Sequence, residues 1–197
     1  MSQKSIRITS PLGEAVWPKL NKPDTKFNKD GVYEVKLRLG EEEAKPFIET
    51  LKEILKEHVD ATGKSKPKMA PLPWREVEDD DNNPTGQIDF KFKLHAVGGR
   101  GDNQFTQRPA LYDSEGRIMS EEIGGGSLIQ IGAEVVPYDV ASIGVGISLR
   151  LKAVKVFELK EYNRGSDNWE FSDGGGVVTE GSDNPVKESV SADEYDF

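Results

Sequence analysis

Residues 123–159, IGGGSLIQIGAEVVPYDVASIGVGISLRLKAVKVFEL, decide the fold of this chain. They contain two runs rich in Val, Ile and Leu and interspersed with Gly, at 127–136 and 143–159, and each run predicts a long strand. The tripeptide at 137–139, Pro-Tyr-Asp, is expected to form the loop between the two strands. We therefore expect this hairpin to be the centre of a small β-barrel.

The second run of the hairpin alternates between apolar and mostly polar residues, as a strand with one buried face does. One face carries Ile147, Leu149, Leu151 and Ala153, and the other carries Ser148, Arg150, Lys152 and Val154. Further strands are predicted at 5–12, 31–39, 86–97 and 105–112, again from alternation and flanking turn residues.

The remaining segments of the body are one helix and two long connections. Residues 41–60 place apolar side chains at i, i+3, i+4 and i+7, and acids crowd the first turn, so they predict an amphipathic helix. Residues 15–28 contain two prolines and no clear period, and we expect a loop fixed by Trp17 and Phe27. A second long loop is expected at about 62–85.

Composition places the charge unevenly along the chain. The 197 residues have a net charge of −9, of which residues 167–197 contribute nine acids and one base, or −8. The other 166 residues carry 25 bases and 26 acids. We therefore predict a folded domain at 1–165 and a disordered acidic tail at 166–197. The acidity of the tail does not argue against a polyanionic partner for the body.

Several classes of function are disfavoured by what the sequence lacks. There is no cysteine, which removes disulfides, thiolate catalysis and nearly all structural zinc sites. His58 and His95 have no recognisable nucleophile motif nearby, so we expect no enzyme, no metal site and no cofactor. No apolar run could span a membrane, and residues 1–10 lack the apolar core of a signal peptide, so a cytoplasmic protein is expected.

A binding signal is stronger than any catalytic one. Three predicted strands each carry two bases opposite an apolar face, and in a barrel these bases would lie outside: Lys36, Arg38, Lys91, Lys93, Arg150 and Lys152. Such a surface can follow a phosphate backbone, although exposed strand faces are often merely charged and solvated. Exposed rings beside the bases could stack on nucleobases. The candidates are Tyr138, Phe105, Tyr112, Trp17 and Trp74. Small open barrels that hold single strands are typically OB-folds, so the predicted class is a mainly β, OB-fold-like barrel with one helix.

The order of several short motifs resembles the single-stranded DNA-binding proteins of T7-type bacteriophages. The motifs are Ile8-Thr9-Ser10-Pro11-Leu12-Gly13, Lys22-Pro23-Asp24, Gly31-Val32-Tyr33, Phe90-Lys91-Phe92-Lys93, Asp113-Ser114-Glu115-Gly116, Ile123-Gly124-Gly125-Gly126-Ser127, Val136-Pro137-Tyr138 and Val145-Gly146. The final Asp196-Phe197 after acids is also similar to the family's ending. Each motif alone is weak, and their shared order is specific.

The resemblance implies a homodimer that binds single-stranded DNA with little sequence preference in the infected host's cytoplasm. It also implies annealing and roles in replication, recombination and repair. It further implies contacts of the tail with the phage DNA polymerase and primase-helicase, through Asp193, Glu194, Tyr195, Asp196 and Phe197. Lys91, Lys93 and Tyr138 match DNA-contacting positions of the family. The family has bases at positions 30 and 132, where this chain has Asp30 and Gly132, so we expect the DNA to use Arg100, Arg150 or Lys152 instead.

Two other readings of the same residues stay open at this point. One is an RNA-binding or cold-shock-like barrel, which equal-sequence DNA and RNA oligonucleotides would distinguish. The other is a protein-interaction module whose barrel face is merely solvated, and it predicts no salt-dependent binding of oligonucleotides.

Overall fold

The computed structural model describes residues 5–161, and the predicted acidic tail with its boundary at 165 lies outside them. The described part holds ten strands, one α-helix and a 3₁₀ turn at Gly101–Asn103. The strands are β1 Ile6–Thr9, β2 Gly13–Asp24, β3 Val32–Gly40, β4 Trp74–Glu78, β5 Pro84–His95, β6 Val97–Gly98, β7 Phe105–Thr106, β8 Ala110–Tyr112, β9 Leu128–Val140 and β10 Gly144–Glu158. The helix α1 is Glu41–Ala61.

Five of these strands close into a ring. β2 pairs with β3, β3 with β5, β5 in parallel with β10, β10 with β9, and β9 returns to β2. A five-stranded, partly open barrel of this kind is the architecture of an OB-fold. β1, β4 and β8 extend it by pairing with β9, β5 and β10. The predicted fold class, a mainly β, OB-fold-like barrel with one helix, is confirmed.

The alternation read from the sequence determines which side chains fill the barrel. In β3 the buried residues are Tyr33, Val35, Leu37 and Leu39, and in β5 they include Phe90, Phe92 and Leu94. Because successive side chains of a strand point to opposite faces, the lysines and arginines between them point outward. The binding surface is therefore a direct consequence of the packing pattern.

The helix covers one opening of the barrel with its apolar stripe. Its buried residues are Ala44, Phe47, Leu51, Ile54 and Leu55. The ring of Phe47 meets that of Phe90 edge to face, with 5.1 Å between centroids. The helix thus begins and ends within a residue of the predicted bounds and serves as core. None of the described helical residues forms a span long and apolar enough to cross a membrane.

The central hairpin differs from prediction in two respects. β9 continues through Pro137, Tyr138 and Asp139, so this tripeptide is strand and the loop is only residues 141–143. Proline is tolerated there because β9 pairs with β10 alone beyond Val135, so Pro137 lies on an edge of the sheet. In β10 the register shifts between Leu151 and Ala153, and this bulge turns Val154 into the core, whereas simple alternation placed it outside.

The predicted loop at 15–28 is also wrong, since β2 occupies most of it. Ala15 and Leu20 are buried, and the two prolines are accommodated at breaks in the pairing with β3. Trp17 and Phe27 do not fix the segment to the core, because 77% and 91% of their surfaces are exposed.

Two further boundaries moved. The expected loop at 62–85 contains β4, which pairs with β5 and places Trp74 beside Phe90, with 6.3 Å between ring centroids. Trp74 is therefore a core-facing residue. The single strand predicted at 105–112 is two short strands in different sheets, β7 paired with β6 and β8 paired with β10. Residues 107–109, ending in a proline, separate them.

Candidate nucleic-acid interface

A groove of about 710 Å³ opens on the outer face of the barrel between β5, β10 and the loop that follows β6. It brings together five of the predicted site residues, which come from three separate parts of the chain: Lys93, Arg100, Phe105, Arg150 and Lys152. We call it the basic groove. Its centre is the parallel pairing of β5 with β10, where Lys93 lies opposite Arg150.

Two glutamates lie among the cations and set their spacing. The Glu34 carboxylate is 3.8 Å from Lys91 Nζ and 3.7 Å from Lys93 Nζ. The Glu134 carboxylate is 3.8 Å from both Arg150 NH1 and Lys152 Nζ. These distances are at the long end for ion pairs, and all four cations are about half exposed. The cations are therefore oriented but remain available to an anion.

Lys93 has an amino group that is partly desolvated and lies close to another cation. Partial burial, followed by the positive charge of Lys91, lowers the pKa of Lys93 below its usual value. A phosphate placed in the groove would offset both effects, since an opposite charge nearby favours the protonated form. The side chain is thus arranged to gain an anionic partner.

Phe105 gives the basic groove an aromatic wall. It lies in β7, and 57% of its surface is exposed. The ring rests on Gly98, where an added Cβ would come within 2.7 Å of the ring. Gly99, with φ of +84°, turns the chain between Gly98 and Arg100 and so returns β7 alongside β6. An exposed ring that lies against a glycine beside cations is suited to stacking on a base.

Arg38 belongs to the same strand face but has a different partner. Its Nε and NH2 donate hydrogen bonds of 2.8 and 3.1 Å to the two carboxylate oxygens of Asp89. The Asp89 side chain is only 7% exposed, and this bidentate contact is the largest cause of the raised pKa of Arg38. Arg38 does not line the basic groove. We therefore assign it a structural role.

The remaining predicted residues lie outside the basic groove. Lys36 and Lys91 face each other across β3 and β5, on the same outer face but farther from β10. Tyr138 is half-buried in β9, and its ring lies against Gly146, where an added Cβ would be 2.8 Å from Tyr138 Oη. Tyr112 is half-buried in β8, opposite Lys155. Their predicted DNA contacts stay predictions, as do those of the tail residues 193–197, which are outside the described part.

Two further exposed aromatic residues lie near these cations. Trp17 stands beside Lys36 and Lys91 in a small cleft. Phe27 lies in the loop between β2 and β3, and the neighbouring Asn28 is 3.4 Å from His95, a residue that lines the basic groove. The sequence analysis expected both rings to fix a loop, and it also counted Trp17 among the candidate stacking rings. Pro18 directly follows Trp17, and Pro23 lies four residues before Phe27. These prolines indicate irregular backbone, which is the one sequence signal that could have indicated exposure of the two rings.

Bacteriophage proteins are similar to this chain in sequence and in fold. Over 93 residues the chain is 32% identical to the single-stranded DNA-binding protein of Escherichia phage T7, a match that covers 45% of this chain and 40% of that protein. The match thus spans less than half the length of this curated relative. The crystal structure of the bacteriophage T7 single-stranded DNA-binding protein superposes with a TM-score of 0.67 at 25% identity. This superposition covers 89% of this chain and 100% of that one.

In sequence and in fold, the chain is similar to the single-stranded DNA-binding proteins of T7-type bacteriophages. The resemblance expected from the motifs is confirmed. A second phage protein, the single-stranded DNA-binding protein of bacteriophage Enc34 in complex with ssDNA, shares the fold with a TM-score of 0.54 and 18% identity. It covers 80% of this chain and 89% of that one. No protein-family model matches the chain. The relatives are DNA-binding proteins by name, in agreement with the expectation of a binding protein and not an enzyme.

Proposed function

We propose that this chain binds single-stranded DNA across the outer face of its barrel. The basic groove is the observation that carries the proposal, because it unites four cations with one exposed ring. Phosphates would contact Lys93, Arg100, Arg150 and Lys152, and a base would stack on Phe105. Stacking contributes about 1–3 kcal/mol per base and favours single strands, whose bases are accessible, over duplex.

The position of three predicted lysines on the fold supports the same function. OB-folds hold oligonucleotides on the face of the second and third barrel strands and on two adjoining loops. In this ring those strands are β3 and β5, which carry Lys36, Lys91 and Lys93. The barrel therefore presents its cations where this architecture binds oligonucleotides.

A salt-dependent titration tests the proposal. A labelled oligo-dT and a duplex of equal length are titrated with the full chain at several salt concentrations. We expect the single strand to bind far more tightly, with log affinity falling against log salt at a slope of about −3 if all four cations contact phosphates. No binding at low salt would disprove the function and favour a protein-interaction module.

An RNA oligonucleotide of the same sequence provides a third arm of this titration. The proposal rests on cations and an aromatic ring, which recognise phosphates and bases common to DNA and RNA, and the 2′-hydroxyl is the group that distinguishes the two. We expect the DNA strand to bind at least as tightly. Clearly tighter binding of RNA would favour the RNA-binding alternative.

The acidic residues 167–196 are proposed to compete with DNA for the cations. Their net charge of −8 resembles that of a nucleic acid, and the body is nearly neutral overall. Removing residues 166–197 should therefore tighten single-strand binding, most strongly at low salt, and make its dependence on salt steeper, because salt weakens the competing tail as well as the DNA. Equal affinities of the full and shortened chains would contradict competition. When DNA displaces the tail, Asp193, Glu194, Tyr195, Asp196 and Phe197 would become available to partners.

The finer biological role follows from the resemblance alone. We propose that the chain coats and protects single strands during phage DNA replication, recombination and repair in the host cytoplasm, and that it promotes annealing. We also propose a homodimer and binding of the tail to the phage DNA polymerase and primase-helicase. Light scattering of the pure protein and pull-down with and without residues 166–197 would test these points.

A further inference from the structure

The strand β2 contains an irregularity that turns a large aromatic residue out of the barrel. Between the pairs Val16–Lys36 and Lys19–Glu34, three steps along β2 correspond to two along β3, so one extra residue is accommodated. Trp17 lies in this bulge with φ of +51°. A bulky residue at positive φ is strained, and bulges commonly redirect a side chain near a functional site.

The redirected ring stands on the surface that carries the cations. Alternation from the buried Ala15 would point Trp17 inward, yet 77% of its surface is exposed. It lines a small cleft with Glu34, Lys36 and Lys91. Exposing so much apolar surface costs free energy, and the core gains nothing from it. A strained, exposed tryptophan beside two lysines therefore has the attributes of a stacking platform and not of a packing residue.

The cleft and the basic groove are neighbours, and Glu34 links them. Glu34 contacts both Lys91, which borders the cleft, and Lys93, which lines the groove. Strands β2 and β10 are separated by β3 and β5, so they are three strand spacings apart, or about 14 Å along the sheet. That length corresponds to about four nucleotides at a rise of 3.4 Å, within the span that one OB-fold covers.

We propose that Trp17 is a second base-stacking platform, and that a bound single strand runs from the basic groove across β5 and β3 to this ring. The inference rests on the proposed function and extends the binding site beyond the groove. Phe105 and Trp17 hold bases at the two ends of the path, and Lys36, Lys91 and Lys93 follow the phosphates between them.

Two substitutions of Trp17 separate stacking from folding. Trp17→Gly removes the ring and suits the positive φ, so stability should be unchanged or higher. Its affinity for a 16-residue oligo-dT should fall by roughly 5- to 150-fold, the equivalent of one lost stacking contact. Trp17→Phe keeps an aromatic face and should retain most of the affinity, while losing the part of the DNA-induced fluorescence quenching that comes from the indole.

Phe157→Ala is the matched control. Phe157 is also an exposed aromatic beside a lysine, with Lys155 Nζ 5.2 Å from its ring centroid, but it lies near the end of β10 and not on the proposed path. Its affinity should equal that of the unaltered chain. If Trp17→Gly binds as tightly as the unaltered chain, the inference is wrong and the proposed function stands. If the unaltered chain does not bind oligo-dT at all, the proposed function itself fails.

Discussion

The two ends of the β3–β5 pair carry the same kinds of charge and use them differently. Next to the helix, Arg38 is clamped by both oxygens of a buried carboxylate at 2.8 and 3.1 Å. Next to the basic groove, Lys93 and Arg150 approach their carboxylates only to 3.7 and 3.8 Å, and each is about half exposed. In sequence, all three appear simply as outward-facing bases.

The contrast between the Arg38 contact and the Lys93 and Arg150 contacts shows what decides whether a base stabilises the fold or can bind an anion. The burial of the acid and the closeness of its contact decide it. Asp89 is buried, so its charge must be neutralised by a close, geometrically good partner. Glu34 keeps 34% of its side chain exposed, so water still screens it and its contacts contribute little to stability. Glu134 is more buried, at 13% exposed, but it lies 3.8 Å from both Arg150 and Lys152 and pairs closely with neither. A cation held by a buried acid is committed to the fold, whereas one held loosely can exchange its partner for a phosphate.

The largest effect is a loss of stability, expected when the Arg38–Asp89 ion pair is removed. Arg38→Ala leaves the Asp89 carboxylate buried and unpaired, and we expect the free energy of unfolding to fall by about 3 kcal/mol. Oligo-dT affinity of the folded protein should change by less than about twofold, because this end of the strand lies outside the basic groove. Urea unfolding and a binding titration measure the two quantities.

Arg150→Ala is the matched control for this experiment. It removes a half-exposed arginine on the adjoining strand, so the free energy of unfolding should change by less than about 0.5 kcal/mol while binding weakens. If Arg38→Ala reduced affinity as much as Arg150→Ala without loss of stability, the distinction between the two ends would be wrong.

The second-largest effect concerns the aromatic wall of the groove. Phe105→Ala removes the exposed ring, and we expect single-strand affinity to fall by about 2 kcal/mol, or roughly thirtyfold. Because the ring is more than half exposed, thermal unfolding should change little. Phe105→Tyr keeps the stacking face and should bind nearly as well as the unaltered chain. Equal affinities of the alanine and tyrosine variants would exclude stacking at this position.

The pH dependence of binding should report on Lys93. Its pKa is lowered in the unbound protein, and a bound phosphate raises it, so binding takes up a proton. Affinity therefore has its full value below the pKa of Lys93 in the unbound protein and falls as pH rises through that pKa. The expected fall is about tenfold, which corresponds to the loss of one charged hydrogen bond. Titrations with oligo-dA, whose base has no acidic proton in this range, measure the effect.

Lys93→Arg is the control for this pH dependence. Arginine stays protonated throughout the range, so the variant should keep its affinity to higher pH than the unaltered chain. If the two proteins lost affinity over the same pH range, Lys93 would not be the group that titrates.

Sequence alone predicted the barrel, the helix and the three cations of the groove that lie on strands, because alternation in β5 and β10 is set by burial and is local. Prediction from the sequence failed where the position of a side chain depends on strand register or on contacts between distant residues. The bulge that exposes Trp17 can be recognised only from the pairing of β2 with β3. The sequence around Arg38 does not indicate its partner Asp89, which is 51 residues away. Tyr138 was predicted to lie in a loop because it follows Pro137, although β9 continues to pair with β10 through both residues.

The smallest expected effect tests whether the loosely held acids compete with DNA. Glu34→Gln and Glu134→Gln each remove a carboxylate that lies about 3.8 Å from two cations while keeping the shape of the side chain. Since such contacts are worth up to about 1 kcal/mol, affinity for oligo-dT should rise by roughly two- to fivefold. Titration at low salt, where screening is weakest, measures the gain. Glu158→Gln, at the end of β10, adjusts the net charge equally but contacts none of these bases, and should have a smaller effect. Weaker binding in Glu34→Gln would mean that this carboxylate positions Lys91 and Lys93 for phosphate, so that order among the cations matters more than their release.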